Sequence, residues 1–281
     1  MKEKIRKIGL VLSILLVIGG VGVLVYYYGT RYKEEKEVDD LKQLIIEDSA
    51  SNMNNPNISL DLKYYIIDGN IVQEKFKDIY LKNQDFVGWI EIEDSKVDYP
   101  VMYTPKDPQY YLRRNFDKNY SIAGTIFVGE HTDLVRPTDN VIIYGHHMDD
   151  GSMFANILKY EDEEYYKKHK YIQFDTLTRN GTYEVIAAFR TEAHSIDEDY
   201  KGFNVYENIN MPKYKFDEYV KNCLDRTPYK TVNTVDYNEK LITLSTCAYH
   251  NTNGRYVVVA KLVKEKTVNT DNPPIEVITT K

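Results

Sequence analysis

The residues of this chain best suited to covalent chemistry lie near its end. In Leu241-Ile242-Thr243-Leu244-Ser245-Thr246-Cys247, strand alternation sends Thr243, Ser245 and Cys247 to one face and Ile242 and Leu244 to the other. The thiol of Cys247 therefore closes a strand on its polar face. Beyond it, Asn253-Gly254 gives a turn signal, and Arg255 opens another strand-like run. If the two strands pair antiparallel, Arg255 falls roughly opposite Cys247. A guanidinium there would favour a thiolate and stabilise the oxyanion formed when that thiolate attacks a carbonyl. The plain alternative is a surface arginine at a strand end, and the pattern by itself weighs the two equally.

A nucleophilic thiol also needs a proton acceptor. Of the six histidines, His146 follows the apolar run Val141-Ile142-Ile143-Tyr144 and a Gly145 that permits close approach, so it stands where a strand exits. His147 should point the opposite way in an extended backbone, which makes the pair a poor chelate. Asp149 and Asp150 are near, yet no HExxH or CxxC spacing accompanies them, and neither a metal nor any other cofactor is expected. His131, His169 and His194 have bland settings; His250, close to Cys247 in sequence, is the fallback base. Cys223 recurs with Phe216 and Val220 on the apolar stripe of a helix predicted over Lys213 to Asp225, where a thiol is inert packing. Two cysteines are too few for a disulfide framework.

The elements that must position these groups are mainly β. Short strand-like runs are predicted at Val87–Ile92, Val97–Tyr103, Gly124–Val128, Asn140–Tyr144, Tyr171–Thr176, Thr182–Phe189, Leu241–Cys247 and Arg255–Val263, with helices at Met153–Tyr160, Asp162–His169 and Lys213–Asp225. Many short strands with few long helices between them argue for a closed or nearly closed barrel over a doubly wound sheet. Thr267 to Lys281 is polar with Pro273-Pro274 and reads as a flexible tail.

Ahead of this domain the chain is of another kind. From Ile8 to Tyr28 it is almost wholly apolar, and at ~1.5 Å per residue the run spans about 30 Å, the thickness of a bilayer core. Lys2, Lys4, Arg6 and Lys7 precede it, which predicts a cytoplasmic N-terminus (1–7), a single-pass anchor (8–28) and an exported remainder. The run exceeds a signal-peptide core and ends in Tyr26-Tyr27-Tyr28 without an A-x-A-like site, so an uncleaved anchor is preferred to a signal peptide. Residues 29–75 read as a membrane-proximal amphipathic helix, Arg31 to Glu47, and a linker beginning at Ser49; the catalytic domain is placed at 76–266. The net charge of -7 and the absence of a basic stripe outside the first residues argue against nucleic acid as partner.

Thr243-Leu244-Ser245-Thr246-Cys247 followed by Gly254-Arg255-Tyr256-Val257-Val258 resembles the active-site signature of sortases, class B in particular. Tyr144-Gly145-His146-His147-Met148 with Gly151-Ser152-Met153-Phe154, Phe86-Val87-Gly88-Trp89-Ile90 with Tyr99-Pro100-Val101, and Gly124-Thr125-Ile126-Phe127 are similar to further class B segments, in the same order. The resemblance implies a sortase β-barrel with N-terminal helices and an extra helix before the cysteine strand. It implies Cys247 as nucleophile, His146 as acid/base, Arg255 as the oxyanion group, and Ser245 lining the substrate groove. The implied partners are surface proteins bearing a C-terminal sorting motif and an amine of cell-wall peptidoglycan. A pilin-polymerising sortase with a Lys acceptor, an exported cysteine protease, and a non-enzymatic tethered β domain remain as alternatives.

Overall fold

The computed structural model describes residues 2–53, 61–130, 132–134, 138–193, 202–206, 210–231, 234–248 and 253–280. It divides into a unit ending at Gln43 and a second unit from Leu44 onward. The first lies wholly within helix α1 (Lys2–Met53). The apolar run and the amphipathic segment after it form one helix without a break: Gly29-Thr30 stays helical, with the Thr30 hydroxyl donating back to the Tyr26 carbonyl at 2.7 Å. Nor does a linker begin at Ser49, since the helix runs to Met53; residues 54–57 of that proposed linker lie outside the described residues. The apolar run is long and hydrophobic enough to cross a membrane, with a mean hydropathy of 2.8, a test that a signal sequence also passes.

In the second unit, β1 (Tyr64–Ile67) and β2 (Asn70–Gln73) form a hairpin, followed by a 3-10 turn at Glu74–Phe76 and α2 (Lys77–Lys82). The barrel strands are β3 (Phe86–Glu91), β4 (Asp98–Met102), β5 (Ile126–Val128), β6 (Asn140–Tyr144), β7 (Tyr171–Thr176), β8 (Arg179–Glu192), β9 (Leu241–Cys247) and β10 (Gly254–Thr267). They close in the order β10-β8-β7-β3-β4-β5-β6-β9. Between β6 and β7 stand a 3-10 helix (Phe154–Glu161) and α3 (Glu163–Lys168), and α4 (Lys213–Arg226) precedes the cysteine strand. These match the barrel, the helical interruptions and the extra helix expected from sequence.

The tail departs from expectation. β11 (Val277–Ile278) pairs parallel with β1, and Thr280 donates its backbone N–H and hydroxyl to Asp68 in the β1–β2 turn. Residues 61–75 are not linker either, because Gln73 bonds through its backbone and side chain to Leu177 and Thr176 of the barrel. The hairpin would otherwise present an unpaired edge; the returning chain covers it. No alternation marks so short a strand, so the residue pattern does not announce it.

Two apolar cores sandwich the barrel wall. Ile90, Val101, Ile126, Val128, Val141, Ile143, Phe174, Ile242, Leu244 and Val258 converge from successive strands in one cluster inside it. On the outside, α4 lays Phe216, Tyr219, Val220 and Cys223 against Leu241, Val257 and Val259. Burial pushes the Cys223 thiol far above its ordinary pKa, so it packs and does not react. Under α4 the polar face of β9 is sealed by a closed triangle. Thr243 donates to the Asn140 side-chain oxygen at 3.0 Å, the Asn140 amide donates to the Tyr219 hydroxyl at 3.1 Å, and the Tyr219 and Thr243 hydroxyls are 3.2 Å apart. All three residues are buried.

Thr243→Val preserves shape but deprives Asn140 and Tyr219 of a partner, which costs about 1–3 kcal/mol. The denaturant midpoint should fall by that amount divided by the slope, with the slope itself unchanged; an unchanged midpoint would show the triangle to be energetically idle.

Candidate active site

Cys247 is the last residue of β9, and the β9–β10 register pairs it directly with Arg255. Residues opposed in an antiparallel pair share a face, so thiol and guanidinium leave the sheet on the outer side of the wall. Cys247 is partly exposed, unlike Thr243 and Ser245 before it on the same face. α4 covers the start of β9 through Tyr219, which meets Thr243, and Tyr206 covers Ser245.

His146 arrives from the neighbouring strand. β6 runs parallel to β9 with Tyr144 beside Ser245, and the Gly145 N–H extends the ladder to the Ser245 carbonyl at 3.1 Å. His146 therefore leaves its strand at the level of Cys247. The glycine is required for packing: a Cβ on Gly145 would sit 2.4 Å from Ile126 Cδ1 and 2.7 Å from Phe154 Cγ, both residues being fully buried.

The imidazole is oriented by a backbone group. Its Nε2 lies 2.8 Å from the carbonyl oxygen of Leu112, in the 3-10 turn Tyr110–Arg113. A carbonyl only accepts, so Nε2 bears the proton and Nδ1 is the basic nitrogen of the neutral ring. Burial is the main influence lowering the His146 pKa below the ordinary imidazole value; the Leu112 bond opposes it, and the charge of Arg113 adds to it. Gly124 packs against this turn at φ +61, where a Cβ would meet the oxygens of Tyr111 and Leu112 at 2.6 Å.

Tyrosines wall the open end. Tyr206 stacks on Tyr144 at 5.9 Å between ring centroids, and Tyr144 on Phe127 at 5.5 Å. The Tyr206 and Ser245 hydroxyls share a 2.8 Å hydrogen bond. Burial pushes the Tyr206 phenol up to about 12 against the pull of that bond and of Arg255, while Cys247 pushes the same way as burial. Tyr206 is thus within electrostatic reach of both. Ser245, expected to line the groove, is only 1% exposed and is placed beneath Tyr206 instead.

The structure thus brings Cys247, Arg255 and the His146-bearing strand exit to one end of the wall. Sequence reasoning missed Tyr206, whose loop has no periodic signal, and the Leu112 carbonyl, since a backbone acceptor has no residue signature. His169 bonds through Nδ1 to the Glu93 carbonyl at 2.9 Å, away from the site. His131, His194 and the fallback base His250 lie outside the described residues. Among the described residues no three His, Cys, Asp or Glu side chains gather as a metal would require; Asp150 instead accepts from the Ser152 N–H and hydroxyl.

Comparison with known proteins gives the same reading. Residues 90–263 match the Sortase domain family. The chain is 32% identical over 199 residues to sortase B of Staphylococcus aureus, covering 69% of this chain and 76% of that one. Among solved structures, sortase B of Bacillus anthracis in complex with AAEK1 superimposes with a TM-score of 0.65 at 30% identity, covering 83% of this chain and 97% of that one. A Staphylococcus aureus sortase B–substrate complex gives 0.67 at 25% identity, over 83% and 97%. With the closed barrel and the cysteine–arginine register already in place, these likenesses establish that the chain belongs to the sortase family, as a class B cysteine transpeptidase.

Proposed function

We propose that this sortase cleaves a C-terminal sorting motif of surface proteins and joins the new carboxyl end to an amino group of cell-wall peptidoglycan. Cys247 is the nucleophile, His146 the proton carrier and Arg255 the oxyanion cation. The observation that supports this most is the direct pairing of Arg255 with Cys247 across β9 and β10. That a similar sortase B was solved as a substrate complex supports a substrate-binding role for this barrel.

The Cys247 thiol passes its proton to Nδ1 of His146 as its sulfur attacks the scissile carbonyl, and the negative charge that develops on oxygen is met by Arg255. As the tetrahedral species collapses, His146 gives its proton to the departing amine, and a thioester holds the target protein. The acceptor amine then attacks the thioester and passes a proton to Nδ1 of His146, which hands it to the departing sulfur and restores the Cys247 thiol. One acyl bond is exchanged for another, so no nucleotide is consumed. Ser245 contributes through the Tyr206 hydroxyl it holds. α1 carries the anchor, with the cationic residues Lys4, Arg6 and Lys7 on the cytoplasmic side and the barrel outside the membrane.

Incubating the full chain in detergent with a sorting-peptide library, with and without an amine acceptor, tests the reading. Cys247→Ala should abolish all turnover. Arg255→Ala should lose about 100-fold or more in kcat, as loss of an oxyanion group does, while Cys247 can still be alkylated. Full activity in either variant overturns the assigned roles, and a product ratio indifferent to the acceptor would favour a protease.

The His146 environment sets a pH dependence of stability. Its folded pKa lies below the unfolded value, so the unfolded chain binds more protons across that window. This contribution is complete above the unfolded value, about pH 6.5, and is lost as pH falls through it towards the folded value. Thermal melts of His146→Gln should therefore fall less steeply than wild type between about pH 7 and pH 5. Parallel curves would contradict a buried, neutral imidazole.

A further inference from the structure

The proposed chemistry leaves His147 without a task, yet its ring makes a contact of unusual placement. Nδ1 of His147 lies 3.0 Å from the backbone carbonyl oxygen of Cys247 itself. A carbonyl only accepts, so Nδ1 bears the proton. The bond stands where the sheet would otherwise have placed a backbone one. In the parallel β6–β9 ladder the Gly145 N–H reaches the Ser245 carbonyl, and the next rung of such a ladder joins residues two further along on each strand, His147 and Cys247. That rung is absent as a backbone bond. The chain after Gly145 has turned off the sheet: the His146 carbonyl accepts from the Phe154 N–H at 2.9 Å, and His147 forms a single antiparallel bridge with Met153. The imidazole spans the gap that this departure opens.

We infer that His147 is a positioning residue, which replaces the missing ladder rung with its Nδ1–H and so fixes the Cys247 end of β9 relative to the exit of β6. The inference rests on the Cys247–His146–Arg255 reading above and adds a fourth residue to it. Two demands conflict at this point. His146 must leave the strand line so that its ring can meet the Leu112 carbonyl, but Cys247 must stay in register with it. On its other flank Cys247 is held through the Ala248 N–H, which donates to the Gly254 carbonyl at 2.9 Å. Without the imidazole, the nucleophile's peptide would be tied on the β10 side alone. Displacement of a reacting atom by about 1 Å can cost on the order of 100-fold in rate while leaving remote substrate contacts intact.

The test compares His147→Ala with His147→Asn, because the Asn side-chain amide places an N–H at the same number of bonds from Cα as Nδ1. His147→Ala should lower kcat for sorting-peptide cleavage by roughly 10- to 100-fold with KM within about twofold. His147→Asn should recover to within about threefold of wild type, and thermal melts should coincide for the two variants. A wild-type kcat in His147→Ala, an effect confined to KM, or failure of the Asn variant to rescue at equal melting temperature would overturn the inference. Should the Ala variant not fold, the Asn variant decides alone: kcat near wild type supports the rung, and a loss comparable to 10-fold or more refutes it. Cys247→Ala serves as the control that separates the readings, since turnover in that variant sinks the whole catalytic scheme, whereas the His147 outcomes bear only on positioning.

Discussion

Everything at the open end of this barrel depends on one pairing, the parallel contact of β6 with β9. Asn140 to Tyr144 lies beside Leu241 to Ser245 without a slip. A shift by one residue would turn every side chain of one strand to the other face, sending the thiol into the apolar interior. The register is enforced at the far end by the buried Asn140–Thr243–Tyr219 triangle, where an unmatched polar group would be expensive. Stability is thus concentrated at the α4 end of the strands and chemistry at the other, so the reactive groups can be exposed without loosening the sheet.

The two cysteines show how location on the same wall decides reactivity. Cys223 and Cys247 both belong to the outer side, one on α4 and one at the end of β9. Burial holds the first as a neutral thiol, whereas the second emerges just beyond the edge of the helix, facing a guanidinium across one strand spacing. The same contrast separates the adjacent histidines. His146 bonds to the Leu112 carbonyl and His147 to the Cys247 carbonyl, so neighbouring rings serve different strand connections.

Backbone groups supply much of the site's geometry. The Leu112 carbonyl selects the tautomer of His146, the Ser245 carbonyl holds Gly145, and the Gly254 carbonyl accepts from both Ala248 and the Arg255 side chain, the latter at 2.9 Å. Such acceptors survive most substitutions of the residues that carry them. The sensitive positions are instead the glycines that let the chains come near, Gly124 and Gly145, where even a methyl group would collide with its surroundings.

The strand segments, the helix bearing Cys223, the polar face ending in Cys247 and the turn returning Arg255 were legible in the amino-acid sequence, because alternation and turn chemistry are local. The long apolar run near the N-terminus was legible for the same reason. What needed the tertiary structure was non-local: the docking of β11 on β1, Tyr206 over Ser245, the Leu112 carbonyl on His146, and the ring of His147 standing in for a backbone rung. Each of these joins segments distant in the chain, or concerns a main-chain atom common to all residues, so no pattern of residue types could announce it. Sequence determined which groups were available for acyl transfer; only closure of the barrel decided which of them meet.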